Sequence, residues 1–197
     1  MDLAVSIKMV GSVISQIENG ETDCKVISNE FKQLSKVIYA EIQTHHFLFI
    51  EPTKARLYSQ SELFGREVAE QFPTTADDIE EAGKCLALDR STASVFHLMR
   101  VMETAIYAVA KDLNIANLQE NWGNAIEQIE KAIGKLPKSD SRKQLYTEVA
   151  SHFLHVKDAW RNTTMHGVGM YTEEKAQRIF DSVKDVMKLL AESGLRE

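Results

Sequence analysis

Apolar residues recur at spacings of three and four along almost the whole of this 197-residue chain, a period that fits amphipathic helices rather than strands. The stretch from about Ser91 to Leu113 shows it best. Val95, Met99, Met102, Ile106, Val109 and Leu113 form its seam. It is the most apolar element and belongs at the centre of a core. Stretches of this kind with short connectors predict an all-α fold, an antiparallel helical bundle.

The other stretches fit around it. From about Asp2 to Glu18, Leu3, Ile7, Val10, Ile14 and Ile17 share one stripe that stops at Asn19-Gly20. A second helix is expected from about Cys24 to Gln43, with Val26 or Ile27, Phe31, Leu34, Ile38 and Ile42 as its buried positions. The two make an N-terminal helical hairpin. The period breaks at His45-His46-Phe47-Leu48-Phe49-Ile50-Glu51-Pro52, which reads as extended chain or a buried connector. A short helix is expected over Ser61 to Gln71, capped by Ser61 and ended by Phe72-Pro73. Thr74-Thr75-Ala76-Asp77 carries a capping signature for a helix to Leu88, and Asp77, Asp78, Glu80 and Glu81 sit where a helix dipole favours acids. Further on, Trp122, Ile126, Ile129 and Ile133 mark a helix from about Asn121 to Leu136. Ala176, Ile179, Phe180, Val183, Met187 and Leu190 mark the last one, from Thr172 to about Ser193. The expected division is a helical arm over 1–72, separate or part of one core, and a helical domain over 73–197.

The stretch with chemical promise closes the helix before the last. Leu145, Val149, Phe153, Val156 and Trp160 form its stripe, and Arg161-Asn162-Thr163-Thr164-Met165-His166 follows, then Gly167-Val168-Gly169. On a continuing helix, at about 100° per residue, Arg161 and His166 fall on opposite sides of the stripe. The glycines let the chain leave the helix near Met165 or His166, which frees the imidazole to swing towards Arg161. The negative end of the helix dipole suits both cations. Ordinary C-terminal capping by the same two basic side chains is the competing reading.

An Arg, then Asn, then His five residues after the Arg, late in an all-helical domain, resembles the signature of the HEPN family, and the helical order from about Thr74 to Ser193 matches. The resemblance implies a HEPN-type helical bundle and a metal-independent RNA endonuclease working as a homodimer, in a toxin–antitoxin or phage-defence setting. It also implies catalytic roles for Arg161, Asn162 and His166, an RNA substrate, and an antitoxin or other regulatory protein as partner. Some members keep the fold without the activity. Arg90 and His97 repeat the bare spacing, but no Asn follows Arg90 and the pair runs into the middle of a helix. Relatives paired with nucleotidyltransferases carry Tyr two residues after the His; here that position is Val168 and the nearest tyrosine is Tyr171.

Supporting residues follow from position. Glu103 lies at the edge of the apolar seam and needs a partner, either Arg100 on its own helix or Arg161 across the bundle. Lys131, Lys135, Lys138, Arg142 and Lys143 surround one acid, Asp140, just before the motif helix. Of these, Lys135, Lys138, Arg142 and Lys143 are the candidate guides for an RNA backbone, with a solvated loop as the alternative. A net charge of -6 excludes broad non-specific nucleic-acid binding while leaving room for such a local site. No metal or other cofactor is expected: His45-His46 and the acidic run have no companions at ligand spacing, and Cys24 and Cys85 read as reduced structural thiols. No apolar stretch reaches membrane-spanning length, and no basic region leads into an apolar run near residue 1, so a cytoplasmic protein without membrane contact is expected. The competing functional classes are a non-catalytic helical module for dimerisation or protein binding, and a HEPN domain that binds nucleotide without cleavage.

Overall fold

The computed structural model describes residues 3–20, 23–164 and 170–197, and of residues 159–164 the backbone alone. The described residues build an all-α fold with no strand among them. They divide into two compact units, Met1–Phe49 and Ile50–Glu197. The expected boundary at 72 thus moves towards the N-terminus. Residues 50–72 join the second unit because Phe64, Val68 and Phe72 are buried in its core.

The first unit is a helical hairpin of α1 (Ala4–Glu18) and α2 (Cys24–Gln43). Asp23 caps α2 by accepting the Lys25 N–H at 2.7 Å. α1 has no cap of its own at Leu3. Its first amides are satisfied by the other helix: Val5 N and Ser6 N donate to the Glu41 carboxylate at 2.9 and 3.0 Å, and the Ser6 hydroxyl joins them. That contact sets the start of α1 beside the end of α2. Among the apolar residues of the hairpin, Val13 and Leu34 are the fully buried ones. Phe31, expected inside, is 54% exposed, and Ile7, Ile14 and Ile17 are also exposed. The reason is geometric, since one helix covers only a narrow strip of its neighbour. Past α2 the chain has no regular structure up to a turn at Pro52, and Phe47, Leu48 and Phe49 are exposed, so the connector is not a buried one.

The second unit is organised on α6 (Ser91–Asp112), where Val95, Leu98, Val101, Met102, Ala105 and Val109 have no exposed surface. The expected central helix is therefore central. Around it stand α3 (Ala55–Ser59), α4 (Arg66–Gln71), α5 (Ala76–Ala87), α7 (Trp122–Lys135), α8 (Ser141–Thr164) and α9 (Glu173–Glu192). The expected helix over 61–71 starts instead at Arg66. Glu62 and Gly65 both adopt positive φ, 56° and 101°, which breaks any helix through them. α5 follows a 3₁₀ turn, Pro73–Thr75. The expected capping signature is not used there, because the Thr75 hydroxyl donates back to the Phe72 carbonyl at 2.7 Å. Thr74 N is met by the Glu197 carboxylate at 3.1 Å, so the last residue of the chain steadies the entry to α5.

Connections are tight where left-handed residues end helices. Asp89 (φ 57°) ends α5, with Arg90 N donating to Cys85 O at 2.8 Å, and Asn114 (φ 56°) ends α6, with Ile115 N donating to Ala110 O at 2.9 Å. The stripe of α9 is buried as expected, through Ala176, Ile179, Phe180, Val183, Met187 and Leu190. Phe180 meets Phe64 edge-on with centroids 5.1 Å apart, which ties the segment before α4 to α9.

Candidate functional site

The motif helix is α8. Asp140 opens it, accepting the Arg142 N–H at 3.0 Å; of its expected stripe Val149, Phe153 and Val156 have no exposed surface, Leu145 is partly buried, and the Trp160 side chain lies outside the described residues. Tyr146, absent from the expected stripe, is buried too, its hydroxyl donating to Asp112 at 2.8 Å. The backbone of Arg161 and Asn162 continues α8 to Thr164. Their side chains, and the whole of His166 with the expected helix end and Gly167-Val168-Gly169, lie outside the described residues.

Beyond the motif the chain is pinned at once. Tyr171 is buried and its N–H donates to the Thr92 hydroxyl, in the first turn of α6, at 3.1 Å. Thr172 then caps α9. Lys54 bridges Asp89 and Glu173, each at 2.5 Å, and so joins the turn before α3, the α5–α6 corner and the start of α9. Both carboxylates push the Lys54 ammonium to a pKa above the ordinary lysine range. Tyr171 and Thr172, the first fixed points after residues 165–169, thus tie the start of α9 to α6. Burial of Tyr171 also leaves its ring poorly placed for modification.

The basic residues named from sequence split into two groups. Arg142 donates from Nη2 to Asp140 at 2.8 Å and from Nη1 to Asp112 at 3.1 Å, so its guanidinium clamps the end of α6 to the start of α8. Lys143 donates to the carbonyls of Leu136 at 2.8 Å and Gly134 at 3.4 Å and closes the end of α7. Lys135 and Lys138 make no ion pair among the described residues. Lys138 and Lys143 border an open groove of 710 Å³ along the first turns of α8, floored by Gln144, Thr147, Glu148 and His152. At 1.5 Å per residue, this cluster and Arg161 stand roughly 27 Å apart along α8. Sequence proximity to the motif helix did not make them neighbours of the motif itself.

Glu103 and Arg100 are not partners in a direct pair. Arg100 Nε donates to Asp78 Oδ2 at 2.8 Å, and Glu103, which is exposed, accepts from Trp122 Nε1 at 3.2 Å. The second oxygen of Asp78 meets His97 Nδ1 at 2.9 Å. Burial raises the Asp78 carboxyl, but the hydrogen bonds from Arg100 and His97 outweigh it and hold the pKa below its usual value. An aspartate that orients a histidine while pairing an arginine is an arrangement able to hold a proton-transfer group. Sequence reasoning named all three residues and did not join them. The signal was there: Asp78 and Arg100 each stand eleven residues from Asp89, the corner of an antiparallel helix pair. Thr92 and His97 lie on different sides of α6, roughly 140° apart at helical spacing, so this cluster is separate from the anchor of the motif loop.

Among the described residues no group of three His, Cys, Asp or Glu side chains could hold a metal ion, and no helix is long and apolar enough to cross a membrane. No protein-family model, curated protein or solved structure matches the chain.

Proposed function

We propose that the chain is a metal-independent RNA endonuclease of HEPN type whose site is built from Arg161, Asn162 and His166 of two facing copies. The observation that supports it is the Arg-Asn-x-x-x-His sequence, with Arg161 and Asn162 on the backbone of α8 in an all-α unit. RNA supplies its own nucleophile, the 2′-hydroxyl, so such an enzyme needs no metal-activated water. His166 moves the proton. The Arg161 guanidinium presents a planar fork to two phosphate oxygens and meets the charge that develops on them. Asn162 orients the phosphate or the imidazole through its amide. The products are a 2′,3′-cyclic phosphate and a 5′-hydroxyl. Lys135 and Lys138 are the cations left to guide a backbone, and Arg142 and Lys143 serve structure. A toxin or phage-defence role, restrained by a partner protein, is the setting we infer from the same motif.

A composite site has a specific test. Arg161→Ala and His166→Ala chains are each silent alone, and mixing them restores cleavage if the two residues act across the dimer. Restoration absent in mixed dimers of proven composition would confine the site to one chain. The second reading, a non-catalytic module for dimerisation or protein binding, is favoured by the exposed apolar residues of the hairpin. It predicts that neither parent nor variants cut RNA under any salt condition.

A further inference from the structure

We propose that the α1–α2 hairpin is a self-association element, and that a second copy of this chain covers its apolar face to complete a four-helix bundle. On α1 the positions that face α2 are Ser6, Met9, Val13 and Gln16, which are buried or half-buried. At about 100° per residue the line Ile7, Val10, Ile14, Ile17 lies roughly 100° round from them. On α2, Glu30, Leu34, Val37 and Glu41 face α1, and Phe31 lies roughly 80° round in the same rotational sense. Because the helices run antiparallel, as the bonds from Val5 and Ser6 to Glu41 require, both lines emerge on one side of the hairpin.

That side is bare. Ile7 is 69% exposed, Ile14 50%, Ile17 46%, Val10 39% and Phe31 54%. Side chains of this size and exposure present on the order of 90 Å² each, roughly 450 Å² in all, which is about the apolar share of the 800 Å² that each partner buries in a standard interface. A patch of that extent falls within the ~300–600 Å² of the largest apolar patch on a typical monomer, and such patches are often functional. Along the line from Ile7 to Ile17 no charged residue intervenes; Glu18 borders its far end, and the other charge of α1, Lys8, lies away from it by helical spacing. A membrane-surface hairpin would set its lysines along both edges of this face, whereas Lys25, Lys32 and Lys36 of α2 lie roughly 100–140° round from Phe31 and α1 adds only Lys8. The occupant is an equally uncharged apolar surface. A second hairpin supplies one by two-fold symmetry, and it gives both copies the core that a two-helix unit lacks. This contact is independent of the ribonuclease reading.

The test is Ile14→Glu in the full chain, with Tyr39→Glu as control, since Tyr39 is 65% exposed on a different side of α2. Sedimentation equilibrium is expected to show a dimer for the parent and for Tyr39→Glu, with a dissociation constant raised at least about 100-fold in Ile14→Glu, because a charge is then buried in the interface centre. Circular dichroism should read equal helix content in all three, as Ile14 is half exposed in the single copy. Hydrogen exchange on the unaltered chain gives a second measurement that needs no variant. Protection of residues 4–18 and 24–43 should rise with protein concentration. A monomeric parent at 100 µM order concentrations, an Ile14→Glu dimer as tight as the parent's, or concentration-dependent protection confined to the end of α8 would each overturn the proposal.

Discussion

Asp78 meets Arg100 on one oxygen and His97 on the other, and that geometry has a consequence for pH. A carboxyl whose pKa is lowered in the folded state contributes stability above its unfolded value, near 3.9, and loses it as pH falls through the folded value. We therefore expect Asp78→Asn to lower stability at pH 7 by about 1 kcal/mol, allowing for solvent screening, and the difference from the parent to shrink as pH falls below the ordinary aspartate range. Urea midpoints across that range measure it. A difference that stays constant with pH would mean that shape, not charge, matters at this position. Two glycines give a paired prediction of opposite sign. A Cβ on Gly83 would come 2.7 Å from the Leu57 carbonyl oxygen, where α5 presses on α3. Gly83→Ala should therefore destabilise by about 1–3 kcal/mol. A Cβ on Gly134, near the end of α7, would meet nothing within 4 Å. Gly134→Ala should raise the melting temperature slightly, a gain of about 0.5–1 kcal/mol.

α8 carries the backbone of Arg161 and Asn162, so its anchoring in the core sets where that backbone stands. Phe153 has no exposed surface and sits two turns before Arg161. Phe153→Ala should cost about 3–5 kcal/mol in unfolding by denaturant. It should lower activity only as far as it lowers the folded fraction. What was legible at this scale follows from physics. The stripes of α6, α7 and α9 could be read because each packs on more than one neighbour, and a wide apolar arc is then buried apart from end residues such as Leu113 and Trp122. The stripe of α1 could be read as a helix but not as a buried face, since a lone partner helix covers only part of it. Ala55–Ser59 and the start of α4 escaped because elements of five or six residues show too little period, and because left-handed Glu62 carries no mark of its conformation in sequence. Of the motif, the helical backbone of Arg161 and Asn162 was legible from the stripe of α8. The roles of Arg142 and Lys143 were not, because their partners, Asp112 and the carbonyls of Gly134 and Leu136, are set by how helices cross rather than by spacing along one of them.

As a whole, the chain joins a hairpin with almost no core of its own to a second unit with a continuous one. A chain beginning at Ile50 should keep a cooperative thermal transition and the helix content of α3 to α9. Loss of cooperativity would mean that the hairpin is needed for the second unit to fold. In the full chain, the function proposed rests on Arg161, Asn162 and His166. The most direct measurement is cleavage of a mixed RNA pool in EDTA by the purified parent beside its His166→Ala form, with circular dichroism showing both folded. Cleavage by the parent alone, leaving 2′,3′-cyclic phosphate ends, is the result expected; equal cleavage by both chains, or equal silence from both across a range of salt, would contradict the ribonuclease reading.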